Sequence, residues 1–485
     1  MIKKIIFFLT PDELKFSIFL LFMVIIMAFI DVIGIASIMP FMALLSNPDL
    51  VETNSILKEI FKISKIFGVE TKKEFLFAFG ILVFVLLIIS LLFKAFVNFL
   101  QSRFIRMREY TISKKLLENY LGQPYSWFLN NHTGNLGKNI LSEVKLVIDH
   151  AMSPLIHLIS QSIITISILL LLFIAHPMLS LIVGCTVLTM YGTIIFLFRG
   201  FIKKIGNEIV NVNKLRFKTI LEAFGATKEI KLAGLEKVFL KKYSEPAFIF
   251  AKNQASIEIL RLIPRYILEA VAFGGLLLVI LFFMSQNDNF ELILPVIALY
   301  TFAGYRLMPS MQKIYSSISE LRFEGPAVSS LHKELQNFKI DKYENDENYF
   351  EFKKNLILEN VHYIYPKAKK YVLEKINLEI PAKSTVGFAG LTGSGKTTLV
   401  DIICGLLEPK EGCLKIDGNL ISNKNIKSWR RLIGYVPQSI HLIDDTIIAN
   451  IAFGVEPKNI NLDDIEKSAK AANMHNFIIN ELPDK

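Results

Sequence analysis

Long apolar runs separated by short polar segments occupy the first two thirds of the chain. A helix needs about 20 apolar residues to cross a hydrocarbon core of roughly 30 Å. Six runs reach that length, and we predict that each spans a membrane: 16–45, 75–99, 154–175, 179–199, 260–284 and 291–312. This pattern predicts a helical membrane protein, in agreement with a mean hydropathy of +0.44.

A helical period continues beyond several of these runs. From Gln101 to Leu121 and from Ile202 to Lys242, apolar and charged residues alternate with the 3.6-residue spacing of an amphipathic helix. We therefore expect the spans to extend well outside the membrane. Short breaks at 121–136 and 222–236 form the tips of these extensions, and such tips are suited to docking a soluble unit. A plain helix–turn–helix is the simpler reading and does not exclude docking.

The basic residues orient the spans. Segment 101–150 carries seven Lys and Arg and segment 200–259 carries eleven, whereas 176–178 and 285–290 carry none. Because cytoplasmic loops are enriched in Lys and Arg, both termini are predicted to be cytoplasmic. The connection 46–74 departs from the rule with five lysines. The net charge is +10. The basic residues flank apolar runs and do not form one polar patch, which argues against nucleic-acid binding.

The connection between the first two spans contains its own amphipathic pattern. In 55–67 the apolar residues recur at helical spacing, with lysines on the other face. The segment is predicted to be a short helix. It either lies in the membrane interface or packs on the outer ends of the spans, and the sequence does not separate these two arrangements.

The composition changes near residue 340. We predict a helical transmembrane domain over 1–335, a charged linker over 336–354 and a partial α/β nucleotide-binding domain over 355–485. The last region alternates short apolar runs with Gly- and Pro-marked turns and helical stretches, as α/β domains do.

A phosphate-binding motif lies in this last region. Gly390, Gly395, Lys396 and Thr397 match G-x-x-x-x-G-K-[ST]. The run before them, 385–389, is predicted to be a strand, and the run after them, 398–407, a helix. Glycine lets backbone N–H groups turn inward around phosphates, and the helix directs its positive end at them. We expect Lys396 to contact the β- and γ-phosphates of ATP and Thr397 to bind Mg²⁺.

Two further residues are consistent with a nucleotide site. Tyr365, in "VHYIYP", is a candidate to stack on adenine, although a single aromatic there is more often a core or edge residue. Gln438, in "IGYVPQ", follows another apolar run that is predicted to be a strand. Alone, this glutamine is uninformative.

With six spans followed by these motifs, the chain resembles exporters of the ATP-binding cassette (ABC) half-transporter type. The resemblance makes Tyr365 the adenine-stacking residue and Gln438 the Q-loop glutamine, which contacts Mg²⁺. It implies a homodimer in the bacterial inner membrane, with the two tips as coupling helices. The implied cofactors are ATP and Mg²⁺, and the implied nucleotide-binding residues are Tyr365, Gly390, Thr392, Gly393, Ser394, Gly395, Lys396, Thr397, Thr398 and Gln438.

Within that family, the membrane half is most similar to bacterial flippases of lipid-linked oligosaccharides. The stretches that carry this similarity are "IMPFMALLS" (38–46), "KEIKLAGLEKVFLKKYSE" (228–245), "IPRYILEA" (263–270) and "YRLMPS" (305–310). The resemblance implies an ATP-driven flippase for a lipid-linked, phosphate-bearing substrate. Another lipid, a drug or a peptide is the alternative cargo.

Three motifs that the family uses for hydrolysis do not occur in the 485 residues. These are the LSGGQ-type signature, a Walker B strand ending in Asp-Glu and a switch histidine. We therefore assign no catalytic residue and expect the 485-residue chain to bind ATP without hydrolysing it. A non-hydrolysing ATP-binding membrane protein is accordingly the alternative function.

Several charges lie in or beside the predicted spans, where ionisable groups suggest function. Arg261 and Arg265 share one helical stripe with Glu258 and Glu269, and Arg306 lies in the inner half of the sixth span. We expect these arginines to face the phosphates of the substrate, unless the stripe residues pair within their own helix. Asp31 stands alone in the first span and is expected to be a packed, hydrogen-bonded acid.

Overall fold

The structure is a computed structural model that describes residues 2–482 except 67, 132, 286–289, 324, 339–350, 367 and 439. It divides into two compact units. The first comprises 1–123 and 127–341, and the second comprises Pro124–Ser126 with Lys342–Lys485. Most of the predicted linker lies outside the described residues.

Helices are the only regular secondary structure of the first unit among the residues that are described. The α-helices up to residue 337 are, in chain order, α1 (Ile2–Phe7), α2 (Pro11–Ala36), α3 (Ile38–Ser46), α4 (Leu50–Thr53), α5 (Ser55–Lys65), α6 (Lys72–Leu121), α7 (Tyr125–Phe128), α8 (Thr133–Lys138), α9 (Val144–Val147), α10 (Ser153–Ala175), α11 (Pro177–Gly225), α12 (Thr227–Ala233), α13 (Glu236–Ser285), α14 (Phe290–Phe323) and α15 (Gly325–Asn337). The first two residues of α7 belong to the second unit. Two π-helical turns, Asn139–Glu143 and Ile148–Met152, flank α9.

Local sequence sets where the long helices begin and end. Thr10 and Thr71 each form a capping box with a glutamate three residues later, which starts α2 and α6. Pro177 occupies the first turn of α11, where its missing N–H costs nothing. Gly234, with φ of 65°, ends α12 in the left-handed conformation. The end of α11 at Gly225, the short α12 and the start of α13 at Glu236 confirm the predicted break between 222 and 236.

The length of the helices confirms their predicted extension beyond the membrane. Helices α6 and α13 each have 50 residues, and α11 has 49. At 1.5 Å per residue such a helix is about 75 Å long, more than twice the hydrocarbon thickness.

Three membrane-crossing segments meet the criteria of length and apolarity within the described residues. They are Pro11–Ser46, Lys72–Leu121 and Leu136–Ala175, and they contain the first three predicted spans. The other three predicted spans fall in α11, α13 and α14. Each of these helices includes residues whose side chains are not described, and 286–289 lie outside the described residues.

The apolar core between the spans is formed by α2, α6, α10 and α14. Val24, Val97, Ile168 and Leu299 are almost fully buried there. The outward faces of the same helices expose large apolar side chains, such as Phe84 and Leu92. This distribution is the one expected when lipid surrounds the bundle.

Helix α5 confirms the short helix predicted in the first connection. Leu57 is buried, and Phe61 packs edge-on against Phe75 of α6, with ring centroids 5.1 Å apart. This contact favours packing on the ends of the spans. Ile63 remains exposed beside the lysines.

The second unit contains a four-stranded antiparallel sheet. Its strands are β1 (Asn355–Tyr363), β2 (Leu373–Pro381), β3 (Glu411–Ile416) and β4 (Asn419–Leu420), in the order β2-β1-β3-β4, and its helices are α16 (Lys396–Ile403), α17 (Ile426–Arg430), α18 (Ile447–Ile451), α19 (Leu462–Ala471) and α20 (His475–Glu481). Val361, Ile402, Ile416 and Trp429 form the centre of its core.

Asp417 fixes the start of β1. Its carboxylate accepts the backbone N–H groups of Lys353, Lys354 and Asn355 at 2.6, 2.7 and 2.9 Å. These bonds stabilise the charged form and lower the pKa of Asp417. With Gly418, Asp417 also forms the positive-φ turn of the β3–β4 hairpin.

Two strand predictions in this unit were wrong. The run 385–389 and the run before Gln438 belong to no strand. A strand requires a hydrogen-bonded neighbour, and among the described residues neither run is paired in a sheet. The helix after the loop was predicted correctly, but it ends at Ile403 because Gly405 adopts a φ of 68°.

We predict that Gly412→Ala destabilises the second unit far more than Gly418→Ala. Both glycines have a φ of 83°, so each alanine carries a backbone strain of roughly 1–2 kcal/mol. Only at Gly412 would the new Cβ lie 2.3 Å from the carbonyl oxygen of Asn360. Thermal unfolding followed by Trp429 fluorescence, in a Trp127→Phe background, measures the difference. Equal midpoints for the two variants would contradict it.

Candidate functional site

The loop 390–397 is shaped by its glycines. Gly393 and Gly395 have φ values of 84° and 88°, which glycine adopts without strain. A Cβ on Gly395 would lie 2.8 Å from Leu373 Cδ2, and one on Gly390 would lie 2.8 Å from Ser394 Oγ. Space is therefore tightest at Gly395, where the new Cβ would also lie 3.1 Å from the carbonyl oxygen of Val372, whereas at Gly393 it would meet no atom within 4 Å.

Helix α16 begins directly after the loop, with Gly395 as its N-cap residue. The free N–H groups of its first turn create a positive helix end next to the loop. Thr397 is exposed in this turn. This combination of glycine loop and helix N-terminus is a typical phosphate cradle.

Lys396 folds back into the loop. Its ammonium group donates hydrogen bonds to the carbonyl oxygens of Gly390 and Leu391, both at 2.8 Å. A flexible lysine held by two carbonyl groups can exchange them for phosphate oxygens. Because phosphate oxygens are charged, they would make the stronger bonds.

Tyr365 is connected to the helix that follows the loop. Its hydroxyl lies 2.8 Å from the hydroxyl of Thr398, which is buried in α16. Its ring packs edge-on against Tyr363, with centroids 5.1 Å apart. Tyr365 is thus held close to the loop, whereas Gln438 is exposed at a bend.

A second polar site lies among the spans. Asp31 in α2 is 2% exposed, and its Oδ1 accepts a 2.7 Å hydrogen bond from Ser90 of α6. Arg306 of α14 places Nη2 3.3 Å from the same oxygen. The packed, hydrogen-bonded acid was predicted correctly. The prediction that Asp31 stands alone was wrong, because Asp31 and Arg306 form an ion pair.

Lys94 adds a second cation to this site. It is half-buried in α6 and lies within electrostatic range of both Asp31 and Arg306. We use the name "α2–α6–α14 charge cluster" for Asp31, Ser90, Lys94 and Arg306. The sequence interpretation overlooked Lys94, although a lysine inside the apolar run 75–99 is itself a signal of an intramembrane site.

The arginine stripe of the fifth span is only partly described. Arg265 donates from Nε to Glu269 at 2.8 Å within α13, so this pair follows the simpler alternative of pairing inside the helix. Both side chains are substantially exposed. The side chain of Arg261 lies outside the described residues.

Comparison with known proteins gives the context for both sites. A family described as the ABC transporter transmembrane region matches residues 17–254, and one described as ABC transporter matches 373–484. The chain belongs to the ABC transporters. The second match includes the glycine loop, Lys396 and Gln438, and it implies that this domain binds ATP.

Curated relatives support the same placement within the ABC transporters. Proteins named ATP-dependent lipid A-core flippase from Cupriavidus pinatubonensis, Ralstonia nicotianae and Vibrio parahaemolyticus are 22%, 23% and 24% identical to this chain. Each alignment covers 76% of this chain and 62% of the relative. The chain thus spans less than two thirds of the length of these relatives.

We predict that the ring of Tyr365, and not its hydroxyl, contributes to ATP affinity. Aromatic stacking on a base contributes about 1–3 kcal/mol. Tyr365→Ala should therefore weaken ATP binding roughly tenfold or more, whereas Tyr365→Phe should bind almost as tightly as the wild type. Titration with a fluorescent ATP analogue measures both.

Tyr371→Ala serves as the control, because Tyr371 lies between β1 and β2 with its ring against His362. It should bind ATP normally. A loss of affinity in Tyr365→Phe equal to that in Tyr365→Ala would assign the effect to the Thr398 hydrogen bond instead.

Proposed function

We propose that the protein is an ATP-driven ABC exporter that moves an anionic, phosphate-bearing lipid, such as a lipid-linked oligosaccharide, across the bacterial inner membrane. In this proposal it acts as a homodimer with both termini in the cytoplasm. The α2–α6–α14 charge cluster is the observation that carries the proposal. The names of the curated relatives support a lipid cargo.

The cluster has more positive than negative charge. Lys94 and Arg306 provide two cations, and Asp31 provides one carboxylate, so these three side chains together retain one positive charge. Burial of an uncompensated charge is costly, and such groups are retained in membranes mainly where they act on a substrate or ion. An anionic headgroup would supply the missing negative charge.

The geometry favours Arg306 as the principal contact. Its guanidinium carries five donors in a planar fork that matches phosphate oxygens, and the 3.3 Å approach to Asp31 uses only one side of it. Arg261 and Arg265 remain part of the proposal as additional contacts. Arg265 is the weaker candidate, because Glu269 already binds its Nε.

ATP binding is assigned to the glycine loop, Tyr365 and the N-terminus of α16. When ATP binds, Lys396 would leave the carbonyl groups of Gly390 and Leu391 and contact the β- and γ-phosphates. Mg²⁺ requires oxygen donors, and Thr397 and Gln438 offer a hydroxyl and an amide oxygen. Both side chains are exposed, so the residues present fit the ion, which would neutralise phosphate charge.

We predict that Arg306→Gln and Lys94→Gln reduce flipping of an anionic lipid but not of its neutral analogue. A hydrogen bond to a charged group contributes about 1.5–3 kcal/mol, so transport efficiency should fall roughly tenfold or more. The assay reconstitutes the intact gene product in proteoliposomes. It then follows ATP-dependent flipping of two fluorescent polyprenyl lipids, one with a phosphate-linked glycan and one with an uncharged headgroup.

Arg265→Gln is the matched control. It should reduce flipping of the anionic lipid much less than Arg306→Gln does. Lys396→Ala should abolish flipping of either lipid. Equal losses for both lipids would contradict a headgroup role for the cluster and favour a different lipid, a drug or a peptide as cargo. Lipid flipping without ATP turnover, or ATP binding without turnover, would favour the non-hydrolysing alternative.

A further inference from the structure

A second buried polar group lies at the other end of α6, within the first unit. The Tyr120 hydroxyl donates a 2.5 Å hydrogen bond to Oε1 of Glu334 in α15. The side-chain amide of Asn139 donates to the same carboxylate oxygen at 2.9 Å and to the Tyr120 oxygen at 3.2 Å. We call Tyr120, Asn139 and Glu334 the clamp triad.

Aromatic rings enclose the triad. The Tyr120 ring is 2% exposed and stacks on Trp127, with centroids 5.5 Å apart. Phe338, just after α15, packs edge-on against both Tyr120 and Trp127, at 5.4 and 6.0 Å. Hydrogen bonds shielded from water in this way are stronger than exposed ones.

The three residues come from parts of the chain that are far apart in sequence. Tyr120 is the penultimate residue of α6, Asn139 begins the first π-helical turn, and Glu334 lies in the helix that follows α14. Trp127 belongs to the short tip between α6 and α10. The triad therefore joins the end of α6 and the first π-helical turn to α15, and Trp127 of the tip packs against it through the Tyr120 ring.

The π-helical turn places Asn139 at a locally altered helix. A π turn inserts one residue into an α-helix and is frequent at functional positions. Here the helical stretch Leu136–Ala175 contains two such turns before it becomes regular. Asn139 lies in the first of these turns, and its side-chain amide donates hydrogen bonds to both Tyr120 and Glu334.

We propose that Tyr120, Asn139 and Glu334 are positioning residues that make the end of α6, the tip residues 127–131 beside it and helix α15 move as one body. ATP-driven movement of the tip would then reach the sixth span directly through the triad. The inference rests on the ATP-driven cycle of the proposed function and not on the identity of the cargo.

The experiment measures hydrogen exchange of the intact gene product in lipid nanodiscs, with and without ATP. In the wild type, ATP should change exchange in 121–131 and in 325–337 together. In Tyr120→Phe and Glu334→Gln the tip should still respond, whereas the response of 325–337 should fall by at least half. ATP affinity should stay within twofold of the wild type, because the glycine loop is unchanged.

Tyr110→Phe is the matched control. Tyr110 lies on the same helix and is exposed, so this variant should respond like the wild type. In the double variant Tyr120→Phe/Glu334→Gln, the ATP response of 325–337 should fall no further than in either single variant, because both changes break one network. This non-additivity separates a joined network from two independent defects.

An unaltered response of 325–337 in Tyr120→Phe would overturn the proposal. So would a wild type in which ATP changes only one of the two segments. A negative flipping assay with intact correlated exchange would reject the cargo while leaving the triad in place. The two failures can therefore be told apart.

Discussion

The absence of water in the hydrocarbon layer governs the architecture of the first unit. Every backbone N–H and C=O there must be paired within the protein, so the chain crosses as helices. Charged side chains obey the same constraint, and Asp31 is accordingly found against Ser90 and Arg306 inside the helix bundle. Charges on the long extensions, such as Lys242 and Glu222, pair in exposed positions, where little is gained from the pairing.

The sequence predicted the elements that depend on local chemistry. The length of the apolar runs located the first three spans. The capping boxes at Thr10 and Thr71 can be recognised directly in the sequence. The phosphate loop was predictable for the same reason, because glycine spacing determines where the backbone can turn. Pairings across distant segments were not predictable. Nothing in the sequence around Asp31 identifies Arg306, 275 residues later, as its partner.

The failed strand predictions have the same physical origin. An apolar run such as 385–389 has strand propensity, but a strand exists only when a neighbour supplies its hydrogen bonds. Helix α16, whose hydrogen bonds are internal, forms at the predicted place. The glycine loop between them adopts its left-handed turns regardless of sheet pairing. Nucleotide-binding geometry is thus encoded more locally than the sheet that supports it.

The two buried polar groups differ in how completely they are satisfied. In the clamp triad the carboxylate oxygen of Glu334 receives two donors, and such satisfied networks hold elements rigidly. In the α2–α6–α14 charge cluster, Oδ2 of Asp31 is buried without a hydrogen-bond partner among the described residues. A buried carboxylate oxygen without a hydrogen-bond donor is costly to keep, so the hydrogen bonding of this cluster is incomplete on its acceptor side. The clamp triad is therefore the more completely bonded of the two, whereas the charge cluster keeps a buried polar atom without a partner among the described residues.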